Sequence, residues 1–271
     1  MVVPQPLAFA AHPDGDATGC LVVSVVSHGH LALVQSLLND MAQFSAATVG
    51  RVVLTLNLPE ADPQAPPGGW PFVLQIVRNG HPLGYGANHN RALCGATEPF
   101  VCVLNPDVRW AGGDPLGPMV GAAAQLGVGC SYPAQYDDVG HLQDSERALP
   151  TPRALWRRRV LGAREMRVDW VNAACLVLPQ SVWQALRGFD EAYFLYCEDV
   201  DLCLRLRLAG WALVRAHARV VHAGQRASHR RWQHLRWHVQ SLLRLWRSPV
   251  YRMARQSLLA HDQGADTIGR S

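Results

Sequence analysis

The stretch most suited to chemistry is acidic. From Asp190 to Asp201, twelve positions carry Asp190, Glu191, Glu198, Asp199 and Asp201, with Tyr193, Phe194 and Tyr196 between them. Acidic residues stabilise a helix N-terminus, which accounts for one of the carboxylates at 198, 199 and 201. Three acids within four residues also repel one another, and aromatic neighbours raise a carboxylate pKa towards that of a general base. Adjacent acids such as Glu198 and Asp199 cannot flank a glycosidic bond from opposite sides, so a paired-carboxylate hydrolase does not fit and a single base is the more natural role.

A second candidate lies in "FVCVLNPDVRW", residues 100 to 110, which runs apolar and then stops at Asn105, Pro106 and Asp107. One reading is a strand-ending turn that uses Asn, Pro and Asp for their turn chemistry. The other is a pair of polar side chains facing a ligand beyond the carboxyl end of a strand. His222 closes the apolar run "ARVVH" and is either a hydrogen-bonded surface residue or a ligand. "HLRWH" at His234 and His238 has metal spacing but lacks the glutamate of a metalloprotease, and is set aside. "GYGANHN" offers Gly84 and Gly86 but has His89 where a dinucleotide fingerprint wants its third glycine, so a nicotinamide site has little support.

These residues need elements to position them. "CLVVSVVS", residues 20 to 27, is a continuous apolar run of the kind that forms a strand covered on both faces. From His30, Val34, Leu37, Leu38, Met41 and Phe44 fall on one helical stripe. "RVVLTL" from Arg51 and "FVLQIV" from Phe72 read as strands, separated by a loop rich in Pro and Gly. "GYGANHNRALCGA" is a turn leading into a helix, and "FVCVLN" is a fourth strand. Asp114 and Pro115 then read as the start of a helix that Gly127 stops. Alternation at these spacings predicts an open, mostly parallel Rossmann-like α/β sheet over residues 20 to 130, with helices on both faces. Residues 131 to 167 show little periodicity and read as a mobile surface segment. "VDWVNAACLVLP" from Val168 reads as a strand, and a helix is expected from about Asp199 to Ala209.

Composition narrows the classes. A 49% hydrophobic chain of 271 residues with 17% charge can bury a sizeable core. No apolar run reaches the roughly 18 to 20 residues needed to cross a bilayer. No basic and apolar leader is visible at the start, so export is not expected and a cytoplasmic location is. Seven cysteines without a C-x-x-C suggest buried thiols. The net charge of +4 is carried by arginine, since lysine is absent, and from Gly224 onward nine arginines face two acids.

The ordered set "VVSVVSHGH", "NGHPLGYGANHNRAL", "LNPD", "VDWVNAACLVLP", "GFDEAYFLYCEDVDLCLRLRLAGW" and "VVHAG" resembles the inverting glycosyltransferases of family 2, in their rhamnosyltransferase-like branch with the GT-A fold. The resemblance covers roughly residues 20 to 230. It implies a cytoplasmic transferase of cell-wall or polysaccharide biosynthesis that moves rhamnose or another hexose from a dTDP- or UDP-linked donor to a glycan or lipid-linked acceptor. It places Asn105 and Asp107 at the D-x-D-like motif, with Asp107 and His222 as ligands of Mn²⁺ or Mg²⁺, and mixed oxygen and imidazole ligation suits Mn²⁺ rather better. Asp199 becomes the general base and Glu198 an acceptor-binding residue. Ser27, Asn57 and Asn79 face the nucleoside, while Gly84, Asn88, Asn90 and Arg91 line the donor diphosphate-sugar. Trp170 and Asn172 belong to the acceptor side. The family's usual Asp after the second strand is replaced by "LNLPE".

The chain is accordingly divided into an N-terminal tail (1–19), a transferase domain (20–225, with a nucleotide-sugar half to 130 and an acceptor half after it) and a basic amphipathic helical tail (226–271). In that tail Trp232, Leu235, Val239, Leu242, Leu243 and Trp246 recur at helical spacing, suited to an anionic membrane surface, to the chain's own core or to a second copy in a homodimer. No nucleic-acid-binding module is visible. Two rivals stand beside this reading. One is a catalytically silent nucleotide-sugar-binding or scaffold protein of the same fold, favoured by Asn105 and opposed by "EDVD" and His222. The other is a nucleotidyltransferase, opposed by the lack of a Lys- or Gly-rich triphosphate loop.

Overall fold

The computed structural model describes residues 19–161, 167–222 and 231–257. The expected N-terminal tail (save residue 19), the boundary at 225/226 and residues 258–271 of the C-terminal tail lie outside the described residues. In chain order the elements are β1 (Leu21–Ser27), α1 (Leu31–Phe44), β2 (Val49–Leu56), β3 (Val73–Arg78), α2 (Tyr85–Leu93), β4 (Phe100–Leu104), β5 (Val108–Trp110), α3 (Leu116–Ala123), β6 (Val128–Tyr136), β7 (Glu146–Arg147), α4 (Pro152–Leu161), β8 (Trp170–Val171), β9 (Cys175–Pro179), α5 (Gln180–Leu186), α6 (Glu198–Leu208), β10 (Ala212–His222) and α7 (Arg231–Arg247).

Eight strands form one sheet in the order β3-β2-β1-β4-β9-β6-β10-β5. β3, β2, β1 and β4 run parallel, as the alternation of strands and helices requires. β9 enters antiparallel to both β4 and β6, and β5 antiparallel to β10, so the second half of the sheet is mixed. Every residue of β4 and β9 is buried, and this is why both read as uninterrupted apolar runs. One core cluster packs α1 and α3 against one face through Leu37, Met41, Leu116 and Met119. The other packs α2, α5, α6 and α7 against the opposite face through Leu93, Trp183, Leu202 and Leu245. This is the GT-A, Rossmann-like architecture expected from the sequence, with a C-terminal helix added.

Several details depart from that expectation. Phe44 is 37% exposed, because α1 buries Val34, Leu37, Leu38 and Met41 and ends before its last ring can turn inward. The segment 131–167 is not a structureless excursion: β6 continues to Tyr136, β7 pairs with β8, and α4 follows. "VDWVNAACLVLP" is two strands rather than one, separated by a turn over 172–174. Asp114 does cap α3, accepting hydrogen bonds from the backbone N–H of Leu116 at 2.9 Å and Gly117 at 3.1 Å.

The tail helix differs most. α7 docks on the chain's own core, but through Leu242, Leu245 and Trp246, whose indole donates to the Pro150 carbonyl at 2.7 Å. Trp232, Leu235, Val239 and Leu243 stay in solvent, with Trp232 84% exposed. Leu235, Val239, Leu242 and Trp246 lie on one helical stripe, and it is the C-terminal part of that stripe that reaches the core. Among the described residues no helix is long and apolar enough to cross a membrane, and all seven cysteines are unpaired thiols.

Candidate active site

Asn105, Pro106 and Asp107 make the turn that carries the chain out of β4 into β5. The Val108 N–H donates back to the Asn105 carbonyl at 3.3 Å, and the Asn105 N–H donates to Ala174 at the start of β9 at 2.8 Å. Turn chemistry and ligand chemistry therefore share the same residues. Because β5 pairs antiparallel with the end of β10, with Val108 opposite His222, the turn brings a carboxylate beside an imidazole. His222 Nε2 lies 3.4 Å from Asp107 Oδ2. The His222 carbonyl is held by the Gln143 side chain at 2.6 Å, and its buried Nδ1 has no hydrogen-bond partner among the described residues.

Two donors this close, one oxygen and one nitrogen, suit a small divalent cation. The described residues hold no group of three or more His, Cys, Asp or Glu side chains able to bind a metal, so the chain offers Asp107 and His222, with the Asn105 amide adjacent. A ligand bearing phosphate oxygens has to complete such a shell. The set fits the expected Mn²⁺ or Mg²⁺ on that condition.

Tyr85 joins this corner to the acidic pair, and the sequence reading passed over it as a spacer between two glycines. Its hydroxyl lies 2.9 Å from Asn105 Oδ1 and donates to the Ala173 carbonyl at 2.7 Å. A phenol has one proton, so Tyr85 donates to one of these two oxygens at a time. Burial, then the negative charges of Glu198, Asp199 and Asp107, push the Tyr85 hydroxyl well above its ordinary range. Beneath the ring lies His89, fully buried, 4.5 Å between centroids, with Nδ1 at 2.8 Å from Ser24 Oγ. Burial lowers the pKa of His89 to about 3, so it is a neutral prop.

Glu198 and Asp199 open α6. Glu198 is 6% exposed, with Oε2 buried and unpartnered among the described residues. Asp199 is half-buried, accepts the Val200 N–H at 2.8 Å, and has the Ala173 N–H and the charge of Arg147 near it. Burial, then the charge of Asp199, raises the Glu198 pKa; burial raises that of Asp199 less, because backbone N–H groups and Arg147 favour its ionised form. In the neutral range Asp199 is the member that holds the charge, as a base must. The turn before them is strained: Tyr196 and Cys197 both have positive φ, 73° and 67°. α7 braces it. Tyr196 Oη lies 2.9 Å from His234 Nδ1, its ring lies 5.0 Å from that of His238, and Ser241 donates to the Leu195 carbonyl at 2.8 Å. The "HLRWH" histidines therefore grip Tyr196.

The expected donor residues divide into two groups. Asn57, Asn79 and Asn88 form a closed amide network: Asn79 donates to Asn57 at 2.8 Å and to Asn88 at 2.6 Å, Asn57 holds both polar atoms of the Leu83 backbone, and Asn88 donates to Gly84. Their polar atoms shape the 79–84 loop. Asn90 is likewise engaged elsewhere, clamping Phe189 through its N–H and carbonyl and reaching Glu191. At Gly84 an added Cβ would stand 2.8 Å from the Phe194 carbonyl oxygen, so its backbone packs closely on the loop before α6. Ser27 is buried at the end of β1 and accepts the His30 N–H at 3.1 Å. Arg91 stays exposed at the rim, 3.1 Å from Asn79 Oδ1.

On the acceptor side Trp170 is buried with its indole on the Ala148 carbonyl at 2.9 Å, and Asn172 exchanges two hydrogen bonds with Gln135, at 2.6 and 3.0 Å. Both act on the protein and set the 172–174 turn. One residue of "LNLPE" was not singled out: Glu60 accepts the Gly29 N–H at 3.2 Å through Oε1, and its Oε2 is buried without a partner among the described residues.

No family model matches the chain. It is 32% identical over 206 residues to N-acetylglucosaminyl-diphospho-decaprenol L-rhamnosyltransferase of Mycobacterium tuberculosis, covering 64% of this chain and 67% of that one. It is 29% identical over 190 residues to rhamnosyltransferase WbbL of Escherichia coli, covering 61% and 71%. Among solved structures, the mannosyltransferase PcManGT from Pyrobaculum calidifontis, in complex with GDP-Man and Mn²⁺, superposes with a TM-score of 0.57 at 17% identity, over 89% of this chain and 75% of that one. With that fold, and with a relative above 30% identity matched over two thirds of its length, the chain belongs to the GT-A-fold glycosyltransferases of the family 2 superfamily, related to the rhamnosyltransferases.

Proposed function

We propose that the protein transfers a deoxyhexose of the rhamnose kind from a nucleoside-diphosphate donor to a lipid-linked sugar acceptor, with inversion at the anomeric carbon. One observation carries this reading: Asp107 and His222 stand 3.4 Å apart where β5 meets the end of β10, and the Tyr85 hydroxyl ties the adjacent Asn105 to Ala173, whose N–H faces Asp199. Both curated relatives are rhamnosyltransferases by name, and one is named for a diphospho-decaprenol acceptor.

Asp199 takes the proton from an acceptor hydroxyl while that oxygen forms its bond to the anomeric carbon from the face opposite the departing diphosphate. The anomeric carbon–oxygen bond breaks and its electron pair leaves with the diphosphate. A divalent cation held by Asp107 and His222 supplies charge neutralisation for that leaving group when bound. Glu198, protonated and buried, hydrogen-bonds the acceptor sugar through its unpartnered oxygen. Tyr85 holds the Asn105 carbonyl oxygen, so that the amide NH₂ is left to the donor. Glu60 offers a carboxylate near the ends of β1 and β2, three residues beyond Asn57, suited to the N3–H of a uracil or thymine base, while Arg91 reaches the diphosphate from the rim. The exposed stripe of α7, among its arginines, rests on an anionic bilayer surface where a lipid-linked acceptor is anchored.

The test is turnover of a panel of dTDP- and UDP-sugars with purified protein, Mn²⁺ and a prenyl-diphosphate-linked N-acetylglucosamine acceptor, read as nucleotide release and as glycan mass. A new glycoside of inverted configuration is the expected product. An Asp199→Asn variant as active as the parent removes the mechanism.

A further inference from the structure

Beside the site, on the face of the sheet opposite α3, lies an open groove of about 460 Å³ that the reaction above does not use. Its floor is the middle of β10. Ala216, Ala218 and Val220 point into the core under α3, and the alternate side chains Arg215, His217 and Arg219 stand in solvent along the groove, with Tyr136 and Leu142 as its wall. Three nitrogen-bearing side chains in alternation on a strand present donors to one face.

The strand is also reshaped there. Against β6, β10 advances from Arg215 to Arg219 while its partner advances only from Tyr132 to Ala134, so two extra residues are accommodated in a bulge. Bulges of this kind bend a strand and re-aim its side chains beside functional sites. Arg219 is held with its guanidinium 5.8 Å from the centroid of Tyr136, which organises a planar fork for phosphate oxygens. The acids nearby are largely engaged: Glu146 lies 3.5 Å from Arg215 and bonds the Tyr132 hydroxyl, and Asp137 accepts the Val139 and His141 N–H groups. The positive charge of the groove is concentrated at Arg219, with the exposed His217 imidazole two residues before it.

The groove approaches the site at its Arg215 end, where Glu146 pairs with Val171 just before the 172–174 turn. At the Arg219 end, His222 lies three residues and roughly 10 Å further along β10, on the opposite face of the strand. At the other end Glu146 precedes Arg147, whose charge acts on Asp199. We propose that this groove seats the phosphate or diphosphate of a phosphorylated acceptor, Arg219 and His217 gripping its oxygens while the acceptor sugar reaches Asp199. The assignment deepens the sugar-transfer reading and rests on it for the identity of the ligand.

Binding is tested without catalysis, by calorimetric titration of inorganic pyrophosphate into the full chain at low salt in EDTA, which removes any cation from Asp107 and His222. Saturable binding is expected, weakened about tenfold or more in Arg219→Gln/His217→Gln and retained in Asp107→Asn. Absence of binding, equal binding by the groove variant, or loss in Asp107→Asn alone overturns the assignment. In the kinetic arm, Arg219→Gln raises KM about tenfold for a prenyl-diphosphate-linked acceptor and less than twofold for the same sugar without phosphate, whereas Arg252→Gln, outside the groove, changes neither. Equal shifts for the two acceptors overturn the assignment. Groove-dependent pyrophosphate binding with no sugar transfer from any donor supports the anion site and counts against the proposed reaction.

Discussion

The two sides of the candidate site are held by opposite means. Asp107 and His222 meet because two strands pair: the β4–β5 turn and the end of β10 are in antiparallel register, and ordinary backbone geometry delivers the side chains. Glu198 and Asp199 are aimed by a turn in which two consecutive non-glycine residues adopt left-handed backbone, at about 1–3 kcal/mol each. The helix that braces this turn, α7, lies some forty residues further along the chain. A sheet-built corner tolerates changes far from it. A strained turn depends on whatever opposes its relaxation, so the base is the more fragile half of the site.

That contrast can be broken first at its chemical ends. Asp199→Asn is expected to lower transfer by about 10²–10⁴-fold, measured as initial rate at saturating donor, with nucleotide binding kept. The acid limb of the parent's pH–rate profile reflects ionisation of Asp199 and lies above the ordinary aspartate range, since burial raises it, so activity rises with pH there. Asp107→Ala, or chelation of divalent metal, is expected to lower the rate by about 10²-fold and to abolish the Mn²⁺-dependent rise in Tm of the parent.

The brace is probed next. Tyr196→Phe combined with Ser241→Ala removes two contacts between α7 and the strained turn, and about a five- to tenfold fall in kcat is expected, with the Mn²⁺-dependent thermal shift intact. A loss of metal response in that variant would show that the two sides are not held separately. Glu198→Gln sharpens the comparison through stability. The folded-state pKa of Glu198 lies above its unfolded value, so its stabilising term is complete below about pH 4 and is lost as pH rises through the folded value. Replacing the acid is expected to raise Tm by about 2–4 °C at pH 8 and to leave it nearly unchanged at pH 4. The smallest effect is expected at Trp232→Ser, which leaves Tm and kcat unchanged in detergent-free buffer and reduces cosedimentation with vesicles containing anionic lipid.

Sequence pattern revealed the parallel half of the sheet well, because β1, β2 and β4 are buried on both faces and show it as unbroken apolar runs. It also singled out Asp107 and His222, which the fold sets 3.4 Å apart, and Glu198 and Asp199, which open α6, since their residue types stand out against the elements they border. What it could not weigh is competition for hydrogen bonds. Asn57, Asn79, Asn88 and Asn90 have the chemistry of ligand-binding residues, yet each is engaged by the protein's own polar groups. Tyr85 carries no local signal, because an aromatic between two glycines does not announce the Asn105 and Ala173 oxygens that folding brings to its hydroxyl. The stripe of α7 suits core, membrane and second copy alike, and only the fold shows that its C-terminal part docks on the chain's own core.

The contact between Gly84 and Phe194 carries a consequence for how the halves move. The donor-side helix begins where bare backbone presses on bare backbone, with Tyr85 N–H bonded to the Phe194 carbonyl at 2.9 Å. Nothing larger than hydrogen can stand between them, so a displacement of one segment is handed to the other. Movement at the start of α2 is thereby felt a few residues away at the turn before Glu198 and Asp199, through a joint whose only working part is a missing methyl group.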